Sequence, residues 1–149
     1  MTDKFPAEKG SYLLWLFLPR GADLTIGKLG CHHFSRGWYL YCGSALGPGG
    51  LRARIGHHLK HSDKKHWHID YLKSKAHIRS VWFCVGENFE HVWSRQLADL
   101  AEASYPLKGF GSSDCHCLSH LIYFPRRPVS SELHKLLESG EMVLRRNMS

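Results

Sequence analysis

Tyr39-Leu40-Tyr41-Cys42-Gly43-Ser44-Ala45, then the breaker cluster Gly47-Pro48-Gly49-Gly50, then Leu51-Arg52-Ala53-Arg54-Ile55-Gly56-His57-His58: this run decides how the chain is read. Residues 38–42 are apolar and aromatic, the composition of a strand. The Gly/Pro cluster ends that strand. Leu51, Ile55 and Leu59 then recur at the i, i+4 spacing of a helix over residues 51–61 with one buried stripe. Arg54, His58 and His61 fall on one flank of the stripe and Arg52 on the other. Residues four apart on a helix are neighbours, so Arg54 and His58 can act on one ligand. A phenol, a glycine backbone open to close approach and fixed cations are thus brought to one spot, which suits a phosphate.

Upstream, Gly10-Ser11-Tyr12 opens residues 11–18, nearly all apolar or aromatic, which stop at Pro19-Arg20-Gly21 and read as a strand buried on both faces. Residues 23–28 form a short strand expected to pair with it through that turn. Downstream, residues 66–75 predict a short helix and residues 78–85 a strand rich in Val, Trp and Phe. Asn88 starts a longer helix to about residue 103, with Phe89, Val92, Trp93, Gln96, Leu97 and Leu100 inward and Glu90 at the edge of the apolar face. Residues 121–124 are a last strand, closed by Pro125 and Pro128, and Ser130 and Ser131 can cap a final helix to about residue 138. The order β-β-β-α-α-β-α-β predicts an α+β domain with a small, mostly antiparallel sheet flanked by helices. One domain over residues 1–149 is expected, with a core at about 10–125 and a C-terminal helical tail at 129–149.

The 149 residues carry a formal net charge of +7 with the 12 histidines counted as neutral, which makes a polyanion the first partner to consider. Simple solubility charge is the competing explanation. Five cysteines, an odd number, without a secretory-type opening at Met1-Thr2-Asp3-Lys4, argue against a disulfide framework. Reduced thiols and a cytoplasmic location are expected. The longest apolar stretch, residues 12–18, is too short to span a bilayer, so no membrane partner is expected.

Two smaller constellations compete for attention. His66-Trp67-His68-Ile69-Asp70 sets imidazoles two apart beside an acid, a spacing that does not share a helical face. It reads as a helix turn that positions His68 and is capped by Asp70. Cys115, Cys117 and His120 are ligand types that zinc accepts, with Asp114 as a fourth. Their spacing is not that of a finger or ribbon, so structural zinc is the minor reading and a loop beneath the site the major one. Tyr12 and Tyr41 taken singly read as strand packing. Glu90 taken alone reads as a solvated carboxylate at a helix start.

Together, Gly10-Ser11-Tyr12, Tyr41-Cys42-Gly43-Ser44-Ala45, Arg54 and His58 resemble the signature of the GIY-YIG endonuclease superfamily. Serine stands where the first motif often has isoleucine, and cysteine stands at the centre of the second. The resemblance is closer to a branch of small uncharacterised domains sometimes fused to endonuclease III-type glycosylases, and it runs from Gly10 to about Phe124. Its segments are Gly43-Ser44-Ala45-Leu46-Gly47-Pro48-Gly49-Gly50-Leu51, His66-Trp67-His68-Ile69-Asp70-Tyr71 and Gly109-Phe110-Gly111-Ser112-Ser113-Asp114-Cys115. The resemblance implies a metal-assisted phosphodiesterase acting on nucleic acid, DNA first, with Glu90 as the carboxylate in Glu90-His91-Val92-Trp93. The superfamily's late asparagine finds no counterpart.

In that reading Glu90 holds Mg²⁺ or Mn²⁺, and a hard cation needs only one carboxylate beside phosphate oxygens and waters. Arg54 holds the phosphate. Tyr12 accepts a proton from water once nearby cations favour its phenolate, and Tyr41 or His58 assists. Gly43, Ser44, Lys60, Lys64, Lys65 and His68 are the expected nucleic-acid contacts, and Arg126, Arg127, Arg145 and Arg146 could touch further phosphates. The alternative is a binding module of the same fold without turnover. A zinc-stabilised adaptor is a third reading.

Overall fold

The computed structural model describes residues 5–60, 64–65, 67–86, 88–111, 119–137 and 144–147. It is the expected α+β fold, with a five-stranded sheet in the order β6-β4-β1-β5-β7, every pair antiparallel, and a separate two-stranded sheet. The chain runs β1 (Gly10–Leu18), β2 (Ala22–Thr25), β3 (Cys31–Phe34), β4 (Gly37–Ala45), α1 (Gly50–Leu59), α2 (His68–Leu72), β5 (His77–Val85), α3 (Glu90–Ala98), β6 (Leu121–Phe124), α4 (Ser130–Leu137) and β7 (Leu144–Asn147). Among the described residues no helix is long and apolar enough to cross a membrane.

Strand β1 is central. It pairs with β4 on one edge and β5 on the other, and the alternation of its side chains feeds two separate cores. Tyr12, Leu14, Leu16 and Leu18 join Leu51 and Ile55 of α1 and Ile69 and Leu72 of α2 on one face. Leu13 and Trp15 join Trp82, Trp93 and Leu97 of α3 and Leu133 and Leu137 of α4 on the other. A strand covered on both faces reads as a continuous apolar run, which is how residues 11–18 look in the sequence.

Because both edges of β1 are occupied, residues 23–28 do not pair with it as expected. β2 instead pairs with β3 as a hairpin of its own. The tail also differs from expectation: residues 144–147 are not helical but form β7, an edge strand on β5. Helix α3 is shorter than expected, and Val92, assigned inward, is 43% exposed, while Trp93 and Leu97 carry the buried stripe.

Two glycines are required by close approach. A methyl group at Gly10 would sit 2.2 Å from the carbonyl oxygen of Cys84. Gly43 lies directly opposite Tyr12 in the β1–β4 ladder. A methyl group there would sit 2.3 Å from Cζ of the Tyr12 ring. Gly43→Ala is therefore expected to lower the unfolding free energy by about 1–3 kcal/mol, the usual penalty for overpacking. Gly47→Ala, where a methyl group meets nothing within 4 Å, should change it by less than about 0.5 kcal/mol. Urea denaturation of both variants checks the contrast, and equal stability would mean that Tyr12 yields freely.

Candidate functional site

β6 pairs only with residues Trp38, Tyr39, Leu40 and Tyr41 of β4. Beyond it one bridging bond continues, from Cys42 N–H to the His120 carbonyl at 3.0 Å, and among the described residues β4 runs on past it with no further partner on that edge. Helices from both faces of the sheet converge on this stretch of β4. α1 brings Arg54 from one face, and α3, packed on the other, brings its first residue, Glu90, around the edge. Tyr12, Tyr41, Arg54 and Glu90 line one cleft of about 350 Å³ together with Gly43, Ser44, Trp67, Asn88, His91, Gly111 and His120.

Each side chain is held. Arg54 donates from Nη1 to the Ser44 carbonyl at 3.1 Å, and its guanidinium carbon lies 4.6 Å from the centroid of the Trp67 ring. Arg52, as its flank requires, points away and donates to the Phe5 carbonyl at 2.9 Å. Ser11, the neighbour of Tyr12, is buried and accepts the Phe89 backbone N–H at 2.6 Å, while Asn88 Oδ1 accepts that of Glu90 at 3.0 Å. The first bond fixes the start of α3 to β1, and the second is local to the helix start. Ser11 is a positioning residue that its place in the motif did not announce.

Glu90 Oε1 lies 2.8 Å from His120 Nδ1. Burial works to raise the Glu90 carboxyl, but hydrogen bonds from His120 and Ser44 and the nearby charge of His120 and His91 outweigh it, leaving the group below its ordinary value. It is a carboxylate at neutral pH.

Tyr12 Oη and His58 Nε2 are 2.7 Å apart. His58 does not line the cleft; it sits behind Tyr12, 1% exposed, against the rings of Tyr41, Trp67 and His57. Burial, then the positive charge of Lys73, pushes its imidazole from 6.5 down to about 3, against the pull of Asp70. The ring is neutral. A tyrosine hydroxyl rotates, and in the tautomer whose Nε2 lone pair faces it Tyr12 donates.

The phenols behave differently from expectation. Burial raises Tyr12 above the usual phenol range, and Arg54, by charge and hydrogen bonding, only partly offsets it. Burial raises Tyr41 as well. Desolvation wins over the cation, so the phenolate form of Tyr12 is not the resting state.

Of the remaining expected residues only Gly43 and Ser44 line the cleft itself. Lys64 and Lys65 line an adjoining hollow with His57 and Trp67. Lys60 is exposed at the end of α1, where its carbonyl accepts from Lys73 Nζ at 3.3 Å. His68 accepts the Gly111 N–H at Nδ1, 2.8 Å away, and so holds the loop that walls the cleft. Asp70 caps α2 as expected, accepting the Trp67 N–H at 2.9 Å. Arg126 is paired with Glu102, and Arg127 stacks over Trp15 and Trp38. Of the zinc-type trio, Cys115 and Cys117 lie outside the described residues, and His120 turns to Glu90 instead. His91 and His120 were not expected at the Glu90 site. The register offered a signal for His120, because it immediately precedes the residue that pairs with Tyr41.

The family described as "Domain of unknown function DUF123" matches residues 11–142, most of the chain. The chain belongs to the DUF123 family. No curated protein and no solved structure matches it. The match takes in β1 through α4, and so every cleft-lining residue of this DUF123 domain.

The neutral, buried His58 has a consequence for stability. Its native value lies below its unfolded one, so the unfolded chain binds the proton first and stability falls as pH drops through about 6.5 toward 3. Wild type should lose up to about 1.4 kcal/mol per pH unit from this group. His58→Gln should flatten the slope between about pH 6.5 and 5, above the range in which Glu90 titrates. His68, also lowered by burial, shares the window and leaves a residual slope. Urea midpoints across this range measure it, and identical slopes in the two proteins would remove the buried neutral imidazole.

Proposed function

We propose that this DUF123 domain is a metal-dependent nuclease of the GIY-YIG type that hydrolyses phosphodiester bonds in nucleic acid, with DNA as its substrate. One observation carries the reading: Arg54 and Glu90, from helices on opposite faces of the sheet, meet Tyr12 and Tyr41 in a single cleft. The motif resemblance and the net charge of +7 support it. So does the shape of the surroundings. Trp67 borders the cleft and also the hollow of Lys64 and Lys65, so a polyanion seated on Arg54 meets an aromatic face and then two ammonium groups.

The Glu90 carboxylate is ionised and faces the cleft, so it can hold a divalent cation, for which the resemblance implies Mg²⁺ or Mn²⁺. When bound, such an ion stabilises the charge that develops on the leaving oxygen. Arg54, already held by Ser44 and Trp67, orients a phosphodiester through charge-assisted hydrogen bonds without having to be ordered first. Tyr12 moves the proton as a relay. Water transfers its proton to the Tyr12 oxygen while the Tyr12 hydroxyl proton passes to His58 Nε2. With the imidazole at about 3, protonating it at pH 7 costs about 5 kcal/mol. The negative charge of a phosphodiester seated next to Tyr12 lowers that cost, so bound substrate favours the relay.

A second reading, binding without turnover, draws on the raised phenols: neither tyrosine is a ready base. Three variants on one substrate separate the two. Glu90→Gln keeps shape but loses charge, so binding should hold or tighten while single-turnover cleavage falls at least ~100-fold. Tyr12→Phe should show the same split. Arg54→Ala should weaken binding without abolishing it. Raising salt from 50 to 200 mM should cost ~100-fold in affinity if about four phosphates are contacted. Unchanged cleavage by Glu90→Gln would sink the mechanism; salt-insensitive affinity would exclude nucleic acid as the partner. A wild type that binds but never cuts would leave the binding module.

A further inference from the structure

We infer that Glu90, His91 and His120 form a three-donor site for a first-row transition-metal dication, with imidazole nitrogens as the majority donors. The inference names the ion of the nuclease cleft, and it rests on the nuclease reading only for what the ion does there. The site itself stands on the donor atoms.

One donor atom from each of the three residues lies within 4.8 Å of the other two, and all three residues line the cleft. Glu90 Oε1 and His120 Nδ1 are 2.8 Å apart. Two ligands about 2.1 Å from one ion at a right angle are about 3.0 Å apart, so this pair is already close to a shared coordination sphere. His91 completes the set, its ring 5.3 Å from that of His120 at 59°. Consecutive helix residues ordinarily point apart. Here they converge because Glu90 is the first residue of α3, and the helix end faces the cleft.

His120 is rigid. It is 1% exposed, its N–H donates to the Phe110 carbonyl at 2.8 Å, and its carbonyl accepts from Cys42 at 3.0 Å. An imidazole fixed at both ends of its backbone loses little freedom when it ligates an ion.

The chemistry of the set selects the ion. Mg²⁺ takes oxygen ligands and dehydrates reluctantly, so two imidazoles disfavour it. Two histidines and one carboxylate suit Fe²⁺, Co²⁺, Ni²⁺ and Zn²⁺ and leave positions open for water and substrate. The positive end of α3 opposes any cation at this place, and the Glu90 charge answers it. The competing account is a plain ion pair in which His120 only orients Glu90.

The test uses the full chain, stripped by chelator and titrated with Co²⁺. One Co²⁺ per chain is expected, with visible ligand-field absorption and no thiolate charge-transfer band. Zn²⁺ should displace it, and a thousandfold excess of Mg²⁺ should not. His120→Ala removes a buried ring and can unfold the chain, so His91→Ala, at a partly exposed position, carries the test once circular dichroism shows it folded. It should weaken Co²⁺ binding at least tenfold, and Cys115→Ser/Cys117→Ser should leave it unchanged. Absence of Co²⁺ binding, displacement by Mg²⁺, full affinity in His91→Ala or loss in the cysteine variant would each overturn the site. Co²⁺ bound by a chain that cuts no substrate would keep the site and sink the nuclease reading. Cleavage with Mg²⁺ that ignores His91→Ala would do the reverse.

Discussion

The pairing of Tyr12 with Gly43 across the β1–β4 ladder is the contact from which the cleft is built. A strand with both edges bonded and both faces buried cannot slip, because a shift of one residue would exchange its two apolar sets. The register therefore delivers Tyr12 to one place. The glycine opposite gives the ring room to lie over the neighbouring strand, and His58 behind it takes the hydroxyl. Ser11, next along β1, reaches the other face and holds the beginning of α3. Adjacent residues of one strand thus set both halves of the cleft.

Electrostatically the cleft is a balance in which burial is the larger weight on its tyrosines and on His58, and pairing the larger on Glu90. The phenols and the imidazole are left uncharged, while His120 and Ser44 keep the carboxylate ionised against the same desolvation. Beside the uncharged tyrosines, Arg54 stands as the cation of one wall, and Glu90, flanked by His91 and His120, as the carboxylate of the other. That distribution attracts an anion to one wall and a cation to the other.

Much of this was legible in the sequence where the signal is local. The i, i+4 recurrence of Leu51 and Ile55 sends Arg54 and His58 to one flank and Arg52 to the other; the structure keeps Arg54 in the cleft and Arg52 away from it, while His58 lies behind Tyr12 instead of beside Arg54. The apolar run of β1 likewise announces burial on both faces. What could not be read is non-local. Pairing of β2 with β3 rather than β1 depends on β5 claiming an edge first, and β7 depends on a return from the far end of the chain. His120 belongs to Glu90 across thirty positions of sequence, and only the β4–β6 register brings it there. Whether the cations prevail at Tyr12 could not be read either, because a cation is visible as a letter, whereas depth of burial is not.

The two cores lie on opposite sides of the sheet, and each positions one wall of the cleft. Arg54 and Glu90 are consequently carried by layers on opposite faces of one β-sheet and meet where β4 runs past its pairing with β6. Repacking of one layer acts directly on one wall and reaches the other through the strands they share. Such a cleft works as a caliper whose jaws are mounted on separate bodies, and the Ser11 hydroxyl under Phe89 and the Ser44 carbonyl under Arg54 are the pins that fasten both to the common beam.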